Sequence, residues 1–352
     1  MAATELRVLM LGPALDAPGG VAVVARRLLE SPPDGVVLEH LATSSPAGRR
    51  QKLLAAAGAA AQLPALIRSF RPHVAHVHLG GGASLPRKLA LTAVLRAAGV
   101  PVVTHCHFPG ADGLATRGPR RGMLRALARA SACVVVLSAA QQELLEPLAP
   151  GRVLRVPNGV PVDRFLPLGP AGGPPTILYL GGAEERKGWR DLRAALETLP
   201  DRPWRARLAG PGAQTLAAAF EPWPQVELLG LLDEAATLEA LQDADIFVLP
   251  SRAEGLPLAL LEAMSCGLAC VATRTDGMRD AIDPGRTGLL VPPRDPAALS
   301  AAIGELLVDP HLRNRLGRGA RQAAVEHFDE RIAGRRLGEA WRRAAGQPGA
   351  GA

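Results

Sequence analysis

Short apolar runs alternate with longer amphipathic ones along almost the whole chain, and the alternation breaks once and restarts. In the first half, strand-length runs fall at residues 7–11, 36–40, 74–78, 100–105, 133–137 and 153–156. Helix-period segments lie between them at 20–29, 49–70, 85–98, 123–130 and 139–148. Strands that alternate with helices must cross over the sheet each time, so the pattern predicts a parallel, doubly wound α/β sheet. A Pro/Gly stretch at 166–175 then reads as an interdomain linker. Beyond it the pattern resumes, with strands at 176–180, 205–209, 226–229, 246–249, 269–272 and 288–291. Helices are expected there at 188–199, 213–220, 234–242, 257–264, 278–282, 296–307, 310–327 and 329–345. Two such halves in 352 residues put a small-molecule site in a cleft between domains.

Composition narrows the classes. Apolar residues make up 48% of the chain and charged ones 21%, as in ordinary globular proteins. Aromatics, at 3%, are too scarce for a base-stacking platform, so no nucleic-acid partner is expected despite the basic balance. That balance is uneven: residues 1–165 carry a net charge of +10 and the remainder −3, which points the first half toward an anionic surface or substrate. The amino terminus is too short and too charged to be a secretory signal and reads as a first buried strand. The most apolar stretch, 55–67, contains Gln62 and Pro64, so no membrane-crossing helix is expected. Cys106, Cys133, Cys266 and Cys270 form neither a disulfide framework nor a zinc pattern and read as small apolar fillers in a reducing compartment. A cytoplasmic location follows from these readings.

The chemistry concentrates after the linker. The run at 246–249 leads into Ser251-Arg252-Ala253-Glu254-Gly255-Leu256-Pro257, and Glu262 follows two helical turns later. One carboxylate thus lies in a loop at a strand's carboxyl end and the other on the next helix, where open α/β sheets bind ligands. The restart strand ends in Gly181-Gly182, and Arg186-Lys187-Gly188 precede the next helix. Helix amino termini favour phosphate, Arg grips it as a fork and Lys meets it as a point charge. Chain-wide, only Lys52, Lys88 and Lys187 are lysines, so a lysine retained beside a glycine turn is suggestive. The bland readings are a solvated basic turn for Arg186 and Lys187 and a solvated helical glutamate for Glu262.

These motifs together resemble the retaining GT-B glycosyltransferases of family four. The likeness also draws on the segment from Val156 to Phe165 (VPNGVPVDRF), on Pro257 to Thr273 (PLALLEAMSCGLACVAT) and on Asp283 to Val291 (DPGRTGLLV). It implies two Rossmann-like domains facing each other across a cleft: residues 1–165 binding acceptor, 166–330 binding nucleotide sugar, and 331–352 a helix and tail that pack back on the first. Arg186 and Lys187 would hold the donor diphosphate. Glu254 would face donor-sugar hydroxyls, Glu262 the ribose, and Gly182, Gly255 and Leu256 would lend backbone contacts. Gly19-Gly20 stands where the family has a glycine turn near the transferred sugar. Before the helix near residue 278 the family often has two glycines, whereas here Asp276-Gly277 stands. Among the five histidines near two strand ends, His107 would lie beside the reacting carbon, with His105 the competing choice. The catalytic set implied is therefore Glu254, His107, Arg186 and Lys187, with no cofactor and no bound metal.

A nucleoside-diphosphate sugar donor and a sugar, lipid-linked or small-molecule acceptor are the implied partners. Two alternatives share the architecture: a nucleotide-sugar 2-epimerase and a non-catalytic nucleotide-sugar-binding subunit. The basic run from Arg117 to Arg129 sets Arg121, Arg125 and Arg129 at i, i+4 and i+8. This stripe reads either as a solvated helix face or as a peripheral contact with the inner face of a membrane.

Overall fold

The computed structural model describes residues 5–45, 48–82, 84–109, 118–169, 172–221 and 223–347. It divides into two compact units, Met1–Gly159 with Arg331–Ala352, and Val160–Glu330.

In the first unit the order is β1 (Leu6–Gly12), α1 (Gly20–Glu30), β2 (Val36–Ala42), α2 (Arg49–Phe70), β3 (Val74–Leu79), α3 (Ser84–Ala97), β4 (Val102–Cys106), α4 (Pro119–Ala130), β5 (Cys133–Val136), α5 (Ala139–Leu145) and β6 (Val153–Arg155). The strands form one parallel sheet ordered β2-β1-β3-β4-β5-β6. Central strands covered on both faces must be apolar throughout, and every residue of β3 and β4 is buried. At the edge, β2 alternates buried with exposed. On one face Leu9, Leu11, Ala75 and Val77 meet Ala59 and Leu63 of α2 and Leu91 and Leu95 of α3. Leu124 and Leu127 of α4 continue that layer beside Leu85 and Cys106.

In the second unit β7 (Thr176–Leu180), α6 (Trp189–Glu197), β8 (Arg205–Ala209), α7 (Ala213–Phe220), β9 (Val226–Gly230), α8 (Glu234–Gln242), β10 (Ile246–Leu249), α9 (Leu258–Ser265), β11 (Ala269–Thr273), α10 (Asp276–Ala281), β12 (Leu289–Val291), α11 (Pro296–Val308) and α12 (Pro310–His327) build a parallel sheet ordered β12-β11-β10-β7-β8-β9. The order reverses between β7 and β10, so the loops after these two strands diverge and leave a place for ligands. The closing helix α13 (Glu330–Ala344) sends Leu337 and Trp341 into the first unit's other face, against Leu6, Val8, Val74, Val103 and Val135.

One helix boundary is corrected. Helix α4 starts at Pro119 rather than 123, because Pro suits the first helical turn. Helix α2 runs unbroken through Gln62 and Pro64. Among the described residues it is the one helix long and apolar enough, by length and composition, to cross a membrane.

Candidate functional site

The second unit gathers the sequence-predicted cations and carboxylate. After β7 the chain turns at Gly181-Gly182, held by the Tyr179 hydroxyl donating to the Gly182 carbonyl (2.8 Å). A 3-10 turn, Glu185–Lys187, then presents Arg186 and Lys187 before α6. From the loop after β10, the Glu254 Oε1 lies 2.7 Å from Arg186 Nη1 and 2.8 Å from Lys187 Nζ. These contacts are ionic; neither approach is aligned as a hydrogen bond. Arg186 Nη1 does donate to the Ala253 carbonyl (2.8 Å), and Arg252 N–H donates to the Arg186 carbonyl (2.7 Å), so the two loops are stitched by backbone. Glu254 is 8% exposed, so two cations share one shielded carboxylate, and Arg186 Nη2 also donates to the exposed Glu184 carboxylate (3.3 Å).

Gly188 sets how close these loops come. Its φ is +74°, and a Cβ there would sit 1.9 Å from the Pro250 carbonyl oxygen. The left-handed conformation alone costs a side chain about 1–2 kcal/mol, and the overlap would push the Arg186-Lys187 turn away from Glu254. Gly188→Ala should therefore lower the melting temperature by roughly 5 °C and weaken ligand binding at the turn. Differential scanning calorimetry checks the first effect; an unchanged midpoint would show that the turn yields freely.

Gly255 and Leu256 are buried behind Glu254, and α9 follows with Glu262 on it. Glu262 is 7% exposed, which removes the solvated-glutamate reading: α9 is covered on nearly all sides, so its carboxylate is held within the protein. Gly277, in the first turn of α10, lets that helix approach, since a Cβ there would fall 1.5 Å from the Gly255 carbonyl oxygen. Sequence reasoning passed over Tyr179 and Arg252, and noted Gly277 only as a departure from a glycine pair. The available signal was a glycine just after a strand, a lone tyrosine ending a strand and an arginine beside the Glu254 loop. A cavity of about 620 Å³ lined by Thr176, Trp204, Arg207, Glu227 and Asp243 lies at the opposite, amino-terminal end of this sheet, away from Glu254.

The first unit holds Gly19, Gly20 and His107. Gly19 and Gly20 are exposed where the chain enters α1, with Gly19 at φ +111°, a conformation reserved for glycine. His107 follows β4 and is half-buried, whereas His105 lies inside the strand at 2% exposure. His107 Nε2 and His78 Nδ1 share a hydrogen bond (2.9 Å). Burial lowers the His107 pKa to about 3, so the ring is neutral at pH 7.

The ring nitrogens of His76, His78 and His105 lie within 4.8 Å of one another, a spacing a metal ion could use. Their hydrogen bonds assign the nitrogens otherwise. The Trp341 indole, a donor only, donates to His76 Nδ1 (2.9 Å). The proton of His76 therefore sits on Nε2, which faces His105 Nδ1 at 3.3 Å. Both His76 nitrogens are thus engaged within the protein. Lys88, also buried, donates to the Leu11 carbonyl (2.8 Å) and to Thr43 Oγ1 (2.6 Å).

Residues 165–323 match the family model described as glycosyl transferases group 1, and residues 5–164 match that of glycosyltransferase family 4. A glycogen synthase of Mycobacterium tuberculosis is 34% identical over 223 residues, 58% of this chain and 52% of the relative. The chain thus spans about half the length of that curated relative. A 2-deoxystreptamine N-acetyl-D-glucosaminyltransferase of Streptomyces fradiae is 29% identical over 311 residues, 75% of this chain and 72% of the relative. Among solved structures, a sucrose-phosphate synthase from Thermosynechococcus elongatus superposes with a TM-score of 0.80 at 20% identity, covering 96% of this chain and 99% of that one. Anabaena HepE in complex with UDP-glucose does so with a TM-score of 0.74 at 17% identity, covering 95% and 99%. At these identities the structural likeness establishes the fold: two Rossmann-like α/β units, the GT-B architecture.

Proposed function

This chain belongs to the group 1 glycosyl transferases of glycosyltransferase family 4, and on that premise we propose that it moves a sugar from a nucleoside-diphosphate sugar to an acceptor hydroxyl with retention of configuration. The observation that carries the reading is the triad of Arg186, Lys187 and Glu254, two cations converging on one shielded carboxylate at the carboxyl ends of β7 and β10.

Breaking an anomeric bond builds oxocarbenium character on the sugar and negative charge on the departing diphosphate. Arg186 and Lys187 neutralise that leaving charge. A preorganised donor aimed at developing charge contributes about 3 kcal/mol in comparable sites. Glu254 counterbalances the two cations before ligand arrives. Once phosphate oxygens take up Arg186 and Lys187, the carboxylate is released to accept hydrogen bonds from sugar hydroxyls. Gly255 and Leu256 offer backbone N–H groups, Gly182 clears space beside the turn, and Glu262 accepts from ribose hydroxyls. Gly19-Gly20 approach the transferred sugar, and neutral His107 positions the reacting carbon's substituents. A diphosphate oxygen helps deprotonate the acceptor. The acceptor is a sugar, a lipid-linked sugar or a small molecule.

The test is a thermal-shift panel of UDP, GDP, ADP and TDP, followed by turnover of the matching nucleotide sugar. One nucleotide should raise the melting temperature, since a ligand bound only by the folded state stabilises it by mass action. Glu254→Gln should cut transfer about 100-fold while diphosphate affinity holds or rises, because the two cations lose a competing anion. If none of the four nucleotides binds, or if donor is isomerised without acceptor, the transferase reading is overturned.

A further inference from the structure

The crossover helix α2 is pinned by Ala59 and Leu63, which pack in one core with Leu9 and Leu11 of β1 and Ala75 and Val77 of β3, so it cannot leave the first unit without uncovering that core. A helix in that position ordinarily turns a polar face outward. Here exposed Leu53, Leu54, Ala57, Ala61, Pro64 and Ala65 share about 120° of the helix circumference, with exposed Gln51, Gln62 and Ser69 along one border of the stripe and exposed Lys52 on the opposite side of the helix. Leu53 is 72% exposed and Leu54 61%. Exposed Arg50 and Arg68 close this apolar stripe at its two ends.

The neighbouring helices extend the pattern. Helices α2, α3 and α4 cover the same face of the sheet. None of the three contains an Asp or Glu, so every formal charge on them is positive. On α3, Ala90, Ala93 and Val94 are exposed beside Arg96; on α4, Arg121, Arg125 and Arg129 form an exposed row. Arg117 of the basic run lies outside the described residues.

We propose that this α2–α3–α4 face docks on the surface of an anionic lipid bilayer. The α2 stripe enters the boundary between headgroups and acyl chains, and the arginines of α4 meet headgroup phosphates. Charge selects this occupant over two others. A second copy of the same face would bring cations against cations. A nucleic acid would satisfy the arginines but leave the leucine and alanine stripe in water.

The experiment is co-sedimentation of the full chain with vesicles of phosphatidylcholine alone or mixed with phosphatidylglycerol. Binding to the mixed vesicles should be at least about tenfold tighter and weaken with salt, each basic residue near an anionic surface adding about a factor of five. Leu53→Asp/Leu54→Asp, exposed changes that leave the core intact, should lower binding about tenfold; should this variant not fold by circular dichroism, Leu53→Gln/Leu54→Gln replaces it. Arg121→Glu/Arg125→Glu should abolish the preference for the anionic lipid. Equal binding to both vesicle types, full binding by the leucine variants, or a dimer in light scattering that those variants dissolve would overturn the proposal.

Discussion

Acidification from pH 7 to pH 5 should destabilise this protein by several kcal/mol, with a large fall in melting temperature. Four histidines at the ends of β3 and β4 produce the effect. Burial lowers His76 and His107 to about 3, and His78 and His105 well below the ordinary value near 6.5. Their neighbours repel a proton further: His76, His107, His105 and Lys88 all face His78. The hydrogen bond from Trp341 reinforces this, since it fixes His76 as a neutral tautomer. In the unfolded chain each imidazole regains a pKa near 6.5 and takes up a proton that the folded state refuses. The unfolded state then binds more protons, so stability falls as pH falls. The loss begins below pH 6.5 and continues until the folded-state values near 3 are reached. A histidine that stays neutral when folded contributes about 1.4 kcal/mol per pH unit, so His76 and His107, held near 3, give roughly 4 kcal/mol at pH 5 as an upper bound, and His78 and His105 act in the same direction. Relaxation and water entry reduce this, yet the remainder is a sizeable share of the stability of a typical domain. Calorimetric melts between pH 7.5 and 4.5 in matched buffers should show the decline and an uptake of several protons on unfolding. A melting temperature that stays level to pH 5 would mean the cluster already admits protons when folded.

How that cluster is closed was not legible in the chain. His76 and His78, two apart on a strand, share a face by simple alternation, and the sequence places them together. The partner that fixes the tautomer of His76, Trp341, lies 265 residues away. Nothing local in an amphipathic closing helix marks that indole as a donor to a buried ring. The strands, by contrast, were readable because buried parallel strands must be apolar end to end; β7, β8 and β10 fall where the runs at 176–180, 205–209 and 246–249 place them. Of the site, Arg186, Lys187 and Glu254 could be singled out because each stands in a turn directly after a strand. Their convergence on a single oxygen could not, since it depends on Gly188 passing against the Pro250 carbonyl. Glu262 shows the same limit from the other side. Its helix reads as apolar around a lone glutamate, but what encloses that carboxylate is not local, since α9 packs on α12 as well as on the flanking strands β10 and β11.

Lys187→Ala and Arg186→Ala should each weaken nucleoside diphosphate binding ten- to hundredfold. A hydrogen bond between charged partners contributes about 1.5–3 kcal/mol, and 1.4 kcal/mol is a factor of ten in affinity. The losses should not add, because both side chains answer to the same Glu254 oxygen. Removing one cation leaves the other paired with Glu254, so each single variant keeps its fold. Removing both strands a shielded carboxylate without a counter-charge, a change that costs about 3–5 kcal/mol when a buried pair is broken; the double variant therefore confuses binding with stability and is the poorer test. Lys187 is the more enclosed of the two, 20% exposed at its side chain against 39% for Arg186, so screening by salt should blunt its effect less. Arg190 supplies the control. It stands three residues on from Lys187 but pairs with Glu185 (2.6 Å) at a side chain 60% exposed. Arg190→Ala removes the same formal charge from the same neighbourhood and should leave affinity within about twofold, as a solvated surface pair contributes little. Titration calorimetry at fixed ionic strength separates the cases: a sharp loss at Lys187 and Arg186 with none at Arg190 marks a phosphate clamp. Equal small losses at all three would reduce the triad to general electrostatic attraction and remove the basis for placing the leaving group there.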